Sequence, residues 1–437
     1  MIHAAREIFA AAMRAVDPRA AVQQNIRVDS EQIILGPVAV QRSAVDHILI
    51  LAVGKAALSM SEAAAESLRD VDGLRIEAVV IAPGLIASKQ ANTTFLPGAH
   101  PIPDQRSFDA AAAVLDALTT VTARTAVLFL LSGGASAMME QPLDPHITLA
   151  DMAAFHRALV GSGLPIAAMN ALRKHLSAVK GGRLAVAAAA AHAQVTLLLS
   201  DVPFAAPDAI GSGPSLPDST TLADCHALLQ QRNAVGMLPS AIVEFLSGPL
   251  CMETPKPDDP AFARSVWRAI LSGEHLASAA ANAAQAAGYH AVIDNTCDEW
   301  EYRDAARYLL DRSLEIARQH PRSCLISVGE LSVALPANPG EGGRNQQFAL
   351  WCAADLARRG QAATLLSAGS DGIDGNSAAA GAVCNEQTVQ RAVQAGFYVD
   401  DALATFNAAP LLRSLDAQIV TGPTGNNLRD LRLILTA

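Results

Sequence analysis

Two aspartates three positions apart, Asp371 and Asp374, lie in a glycine-rich loop that follows the apolar segment ATLL (363–366). Carboxylates on such a loop can hold a divalent cation, and enzymes often bind phosphates through such a cation. Glycines in the loop let the backbone turn sharply and approach a ligand. A solvated Asp-Gly turn is the alternative, and the loop alone does not decide. The apolar segment predicts a buried parallel strand that ends at this loop.

The same pattern, an apolar segment followed by glycine or serine, recurs along the chain. The loops are Gly54-Lys55, Ser132 to Ser136, Ser200-Asp201, Gly369 to Gly375 and Thr421 to Gly425. Backbone N–H groups on such loops can bind an anion. Gly133, Gly134 and Ser136 are therefore candidate phosphate-binding residues, and Asp201 is a third candidate metal ligand. Five such loops are hard to explain as turns alone.

Two cationic residues are candidates for catalysis. Lys55 directly follows the strand-like segment LILAVG, so its ammonium group can contact a phosphate or carboxylate. Arg344, with Asn345, lies in GEGGRNQQFAL, where an arginine on a flexible loop can hold phosphate oxygens. The alternatives are a lysine in solvent at a helix start and an exposed arginine at a hairpin tip.

Three further residues are candidates for substrate or phosphate binding. Arg173 and Lys180 share one face of a predicted long helix over 173–191, as positions i and i+7. A solvated helix face is the alternative. His100 precedes a proline and so has extended or turn backbone. It can donate a hydrogen bond to substrate or be a structural histidine.

Composition and missing motifs exclude several classes of protein. The net charge is −10 without a long basic run, which argues against nucleic acid or an anionic membrane as partner. The six cysteines are scattered, which argues against a zinc site or disulfide framework. Neither GxxxxGK[ST] nor a strand-linked GxGxxG is present. The N-terminal segment carries charges within its apolar stretch and is not a signal peptide. We therefore expect a cytoplasmic protein with small-molecule substrates.

Strand-like segments alternate with helical ones, which indicates an α/β fold. The chain has 437 residues, enough for two or three domains. The pattern predicts a doubly wound, mostly parallel, Rossmann-like sheet over 1–246, a proline-rich and acidic linker over 247–263, and a second α/β domain over 264–437. In the second domain we expect helices over 303–319 and 346–359. The sequence leaves the oligomeric state open, with a homodimer among the alternatives.

Long motifs spread over nearly the whole chain resemble the glycerate 2-kinases with a C-terminal MOFRL domain. They are VGKAALSM, GAHPIPDQRS, LSGGASAMMEQP, NALRKHLSAVKGGRLA, LSDVP with SGPSLPDSTT, GGRNQQFAL, SAGSDGIDGNSAAAGA and TGPTGNNLRDLRLIL. The resemblance implies a mixed sheet in the MOFRL domain and an active site in a cleft between two domains. It implies transfer of the ATP γ-phosphoryl group to the 2-hydroxyl of D-glycerate with Mg²⁺, and it makes Lys55 and Arg344 the catalytic pair.

The chain departs from this family pattern at several acidic positions. Phe204, Ala205 and Ala206 replace a usual Gly-Asp-Asp, Gln347 a usual glutamate, and Ala378 a usual aspartate. Ala135 replaces a glycine. These changes keep two alternatives open, a kinase of another small hydroxy acid and a non-catalytic relative that binds nucleotide. The name hydroxypyruvate reductase, which is often given to members of this family, adds a third. The absent GxGxxG argues against the reductase.

Overall fold

The computed structural model describes residues 1–84, 90–162, 164–200, 207–230 and 238–437. Contacts divide these residues into two compact units: Pro18–Ile270, and Met1–Asp17 together with Leu271–Ala437. We call them the N-terminal and the C-terminal unit. Helix α1 (Ile2–Ala15) belongs to the C-terminal unit, because its apolar face is buried there. The domain limits expected from the sequence, at 246 and 264, stay a prediction.

The N-terminal unit contains two sheets. A small antiparallel sheet consists of β1 (Ile26–Val28), β2 (Gln32–Leu35) and β3 (Val38–Gln41). A six-stranded sheet has the order β6-β5-β4-β7-β8-β9. Its strands are β4 (His47–Val53), β5 (Arg75–Pro83), β6 (Thr93–Gly98), β7 (Thr125–Leu131), β8 (Ala193–Ser200) and β9 (Ser265–Ser272). Neighbouring strands from β6 to β8 are parallel. Every residue of β4, β7 and β8 is buried, as a sheet covered on both faces requires.

Helices connect and cover these strands. They are α2 (Pro18–Asn25), α3 (Ala57–Leu68), α4 (Gln105–Leu118), α5 (Ala135–Met138), α6 (Leu149–Gly161), α7 (Ile166–Leu176), α8 (Arg183–Ala187), α9 (Leu222–Leu229) and α10 (Ser240–Ser247). The single long helix expected over 173–191 is wrong. The chain leaves α7 at Ser177, which pairs with Pro142, and Gly181 and Gly182 have positive φ angles of 57° and 83°. Such a backbone does not continue an α-helix.

The C-terminal unit is built on a mixed sheet with the order β10-β11-β15-β12-β13-β14. Its strands are β10 (His290–Ile293), β11 (Ser323–Gly329), β12 (Thr364–Gly369), β13 (Gly381–Asn385), β14 (Gln418–Ile419) and β15 (Asp430–Leu435). Its further helices are α11 (Gly273–Ala286), α12 (Tyr302–Gln319), α13 (Arg344–Arg359), α14 (Thr388–Gln394), α15 (Val399–Ala404) and α16 (Ala408–Ser414). The predicted α/β class and the mixed second sheet are confirmed.

Strand β12 is buried over its whole length, as the apolar segment predicts, but it is not parallel. It runs antiparallel to both neighbours, β13 and β15. The physical reason is connectivity: β13 returns directly after the loop 370–380, and the last strand of the chain inserts between β11 and β12. A strand that is buried on both faces has the same apolar pattern whether it runs parallel or antiparallel to its neighbours. No helix in the described part of the chain is both long and apolar enough to cross a membrane.

Candidate functional site

The order of strands in the N-terminal unit reverses between β4 and β7. The chain adds β5 and β6 on one side of β4, and β7 and β8 on the other. In open parallel sheets, ligands bind beyond the carboxyl ends of the strands at such a reversal. The loops that follow β4 and β7 are Gly54-Lys55 and Ser132 to Ser136. Two of the loops expected from the sequence therefore lie where this fold binds ligands.

These two loops pack backbone against backbone. The Lys55 N–H donates to the Gly133 carbonyl at 3.0 Å, and the Ala56 N–H donates to Ser132 Oγ at 3.0 Å. Gly54 has a φ of 124°, and a Cβ there would lie 2.3 Å from Ser132 Oγ. Glycine is therefore required at this position, because any side chain would push the two loops apart.

His100 and Ser136 are placed at the same loop. A Cβ on Gly134 would lie 3.2 Å from His100 Cδ2, so the imidazole ring lies against this glycine. Ser136 Oγ lies 2.6 Å from Ser212 Oγ, which donates to Asn170 Oδ1 at 3.0 Å. The structure thus brings together the predicted binding residues His100, Gly134 and Ser136.

Arg173 and Lys180 do not share a helix face, since α7 ends at Leu176. Lys180 is fully buried, and its Nζ lies 2.6 Å from Glu140 Oε2 and donates to the Met139 carbonyl at 3.0 Å. A phosphate could reach Lys180 only by displacing Glu140. This geometry favours a structural ion pair, and the predicted phosphate contact of Lys180 stays a prediction.

Glu140 is the centre of this buried polar cluster. Its Oε1 accepts from Ser177 Oγ at 2.5 Å and from the Gln141 N–H at 3.0 Å, and His156 Nε2 lies 3.1 Å from Oε2. Burial raises the pKa of Glu140, but Lys180 and His156 outweigh burial and lower it to about 2. The carboxylate is therefore ionised throughout the physiological pH range.

Arg173 differs from Lys180 in its surroundings. Its side chain is nearly buried, and its Nε has no hydrogen-bond partner among the described residues. Burial lowers the pKa of its guanidinium group, and the charge of Glu140 opposes that shift. A buried donor without a partner has a free-energy cost, so Arg173 is a better candidate for an anion contact than Lys180.

In the C-terminal unit, four predicted residues line one cavity of about 480 Å³: Arg344, Asn345, Asp371 and Asp374. Two glycine-rich segments, 339–345 and 371–376, form most of its wall. Helix α13 begins at Arg344, two residues earlier than expected. The aspartate loop and the arginine loop therefore form one site, which the sequence presents as two separate motifs.

Two carboxylates hold the Arg344 side chain in place. Asp430 accepts from Arg344 Nε at 2.6 Å and from an Nη at 3.2 Å, and Glu330 accepts from the other Nη at 3.1 Å. Burial lowers the pKa of Arg344, but Asp430 and Glu330 outweigh burial and raise it above its ordinary value. Arg344 is therefore a permanently charged and preoriented cation.

The sequence patterns identified neither Asp430 nor Glu330 as a partner of Arg344. Asp430 opposes Gly329 and Gly369 across the sheet, so it lies between the ends of β11 and β12. Glu330 directly follows β11. An acidic residue at a strand end next to glycine is a signal that could have identified Glu330. The position of Asp430 depends on the pairing of β15, which the sequence does not show.

Asp374 anchors the start of α13. Its Oδ1 accepts from the backbone and side-chain nitrogens of Asn345, and its Oδ2 accepts from those of Gln346, at 2.9 to 3.3 Å. A Cβ on Gly343 would lie 2.3 Å from Asp374 Oδ1. Burial raises the pKa of Asp374 to about 6, although the four donors favour the ionised form. These donors occupy both oxygens, so the geometry favours a structural role at the start of α13, and the predicted metal contact of Asp374 stays a prediction.

Asp371 has a different environment. Its Oδ1 accepts from the Ile373 N–H at 3.1 Å, and its backbone carbonyl accepts from the Thr424 N–H at 3.1 Å. The 421–425 loop therefore packs on the aspartate loop. Within the described ranges, no group of three or more His, Cys, Asp or Glu side chains is arranged to hold a metal. Because Mg²⁺ is commonly held by one or two carboxylates and the substrate phosphates, Asp371 fits a magnesium role.

The residues that replace the usual acidic residues of the family lie in different parts of the structure. Gln347 is buried, and its Nε2 donates to Tyr302 Oη at 3.2 Å and to the Leu403 carbonyl at 2.8 Å. It does not line the cavity, so its change from glutamate removes no carboxylate from the cavity wall. Ala378 is exposed in the loop before β13. Asp201, Phe204, Ala205 and Ala206 lie outside the described residues.

Comparisons with known proteins agree with this architecture. Residues 4–247 match a family described as a domain of unknown function, DUF4147, and residues 323–430 match the MOFRL family. The D-glycerate 2-kinase of Thermotoga maritima is 34% identical over 391 residues, which cover 88% of this chain and 90% of that protein. The chain belongs to the glycerate kinase family with a MOFRL domain. The resemblance seen in the sequence motifs is thereby confirmed.

A solved structure and a second relative extend the comparison within the glycerate kinase family. The crystal structure of glycerate kinase from Thermotoga maritima has a TM-score of 0.84 at 32% identity and covers 100% of this chain and 99% of its own. A protein of Agrobacterium vitis named "Putative hydroxypyruvate reductase" is 34% identical over 439 residues, covering 98% of this chain and 93% of its own. The family thus carries two kinds of name.

Proposed function

We propose that this protein is an ATP-dependent kinase that transfers the γ-phosphoryl group to the 2-hydroxyl of D-glycerate, giving 2-phosphoglycerate and ADP. The observation that carries the proposal is Arg344, a cation held by Asp430 and Glu330 in the wall of a cavity of about 480 Å³. Phosphoryl transfer depends mainly on positioning and charge neutralisation. A preoriented guanidinium in the cavity wall supplies positioning, in a chain whose relatives are named glycerate kinases.

In the proposed reaction, the 2-hydroxyl oxygen forms a bond to the γ-phosphorus while the bond from that phosphorus to the ADP oxygen breaks. The hydroxyl proton passes to solvent. Arg344 binds phosphoryl oxygens through its guanidinium group, and Lys55, at the strand reversal, contributes a second cation. Mg²⁺, when bound, neutralises phosphate charge, and Asp371 is the carboxylate in the cavity wall that fits it. His100, Gly134 and Ser136 are the proposed contacts of the acceptor.

A paired assay tests this proposal against the reductase named among the relatives. ADP release is measured with D-glycerate and Mg·ATP, and NAD(P)H oxidation is measured with hydroxypyruvate. If the protein is a glycerate 2-kinase, we expect ADP release with 2-phosphoglycerate as product and no NAD(P)H oxidation. The reverse result refutes it. ADP release with other small hydroxy acids but not with glycerate would assign a different acceptor.

Variants of the two cations test the mechanism. Lys55→Ala and Arg344→Ala should each lower kcat by roughly 10²- to 10³-fold, as removal of one electrostatic donor to a transition state does. Their circular dichroism spectra should match that of the wild type. Wild-type turnover in either variant would remove that residue from the mechanism.

A further inference from the structure

The cavity of the C-terminal unit has an apolar side that the aspartates and the arginine do not explain. Val333, Leu335, Pro339, Ile373 and Phe406 line it together with the polar residues. Leu335 is 59% exposed and Ile373 is 48% exposed. Large aliphatic side chains left in solvent at the wall of a cavity are typical of a ligand site, because a bound ligand can cover them.

The chemistry of the two proposed substrates differs at this wall. D-Glycerate has three carbons that carry a carboxylate and two hydroxyl groups, so it offers almost no apolar surface. A nucleotide base offers two flat apolar faces and is linked to charged phosphates. Binding sites for such ligands combine an apolar lining with a few placed polar groups. The mixed lining of this cavity therefore fits a nucleotide better than a small hydroxy acid.

The polar end of the cavity fits phosphates in one specific way. The amides of Asn345 and Gln346 at the start of α13 already donate to Asp374. These amides are therefore not available to a phosphate, although a helix start is a common phosphate site. The cation at this end is the Arg344 side chain, which lines the cavity and is itself paired with Asp430 and Glu330.

We propose that this cavity is the subsite of the donor nucleotide, with the base against Leu335 and Ile373 and the phosphates towards Arg344. This inference rests on the proposed kinase function. The inference gives Leu335 and Ile373 a role in nucleotide affinity. It gives them no role in binding the acceptor.

The test uses Leu335→Ser and Ile373→Ser, singly and together, in the full-length protein, because serine removes the apolar surface without adding a charge that would repel phosphate. Both side chains are exposed, so the variants should keep the wild-type melting temperature. Val393→Ser is the matched control, because Val393 is 58% exposed on α14 and does not line the cavity. Isothermal titration calorimetry measures the binding of ADP and of pyrophosphate, which lacks the base. Steady-state kinetics then measure KM for ATP and for D-glycerate.

We expect each cavity variant to weaken ADP binding about tenfold and to leave pyrophosphate binding within twofold of wild type. KM should rise for ATP but not for D-glycerate, and the control variant should behave as wild type. Unchanged ADP affinity in the double variant overturns the inference, as does a rise in KM confined to D-glycerate.

Failure of the proposed function is distinguishable from failure of this subsite. If the wild-type protein binds ADP but releases none from ATP and glycerate, the kinase proposal fails while the calorimetric comparison still decides the subsite. If the wild-type protein binds no ADP, the subsite is overturned. If a serine variant has a lower melting temperature, the same comparison is made with Leu335→Ala and Ile373→Ala, for which we expect the same selective loss of ADP affinity.

Discussion

Replacing Lys180 by methionine tests whether this lysine serves the fold or a ligand. Lys180 and Glu140 are both fully buried, with 2.6 Å between Nζ and Oε2. Methionine preserves the length of the side chain but leaves the Glu140 carboxylate without its cation. Removing one partner of a buried ion pair typically lowers the free energy of unfolding by ~3–5 kcal/mol. We expect a loss of this size for Lys180→Met.

The pKa of Glu140 determines how the stabilisation by this ion pair depends on pH. Its value in the folded protein is about 2, lowered from 4.5, because Lys180 and His156 together outweigh burial. A lowered carboxyl pKa stabilises the folded state above the unfolded pKa, and this contribution is lost as the pH falls from 4.5 towards 2.

The assay is urea unfolding of the wild type, Lys180→Met, Glu140→Gln and the double variant, followed by circular dichroism at pH 7. Because the two side chains interact directly, the loss in the double variant should be smaller than the sum of the two single losses. Kinetic assays on the same proteins measure KM for ATP and glycerate. Wild-type stability of Lys180→Met together with a raised KM would refute the structural role and restore a phosphate contact.

Two further predictions concern the cavity of the C-terminal unit. Asp374→Ala removes the acceptor of four N–H groups at the start of α13, so we expect a loss of ~2–4 kcal/mol in unfolding free energy, with no change in the Mg²⁺ concentration that half-activates the enzyme. A raised Mg²⁺ requirement at wild-type stability would instead support a metal role. Asp430→Asn weakens the hold on Arg344 and should lower kcat for ADP release about tenfold or more, with KM for glycerate nearly unchanged. Wild-type kcat in this variant would contradict a positioning role for Asp430.

The sequence by itself determined the features that depend on neighbouring residues. Apolar segments such as LILAV and ATLL marked buried strands, and the glycines after them marked the loops that carry Lys55 and Asp371. The start of α13 at Arg344 was placed within two residues. These features are local, because burial and turn formation leave a periodic or compositional pattern in a short stretch of chain.

Only the tertiary structure decided which distant groups meet. The insertion of β15 between β11 and β12 places Asp430 beside Arg344, 86 residues away in sequence. It also makes β12 antiparallel, which an apolar segment covered on both faces cannot indicate. Whether Asp374 binds a metal and Lys180 a phosphate depends on their partners: both oxygens of Asp374 accept hydrogen bonds at the start of α13, and Lys180 is paired with the buried Glu140. Strand pairing and charge pairing act between residues far apart in the chain, so no local pattern records them.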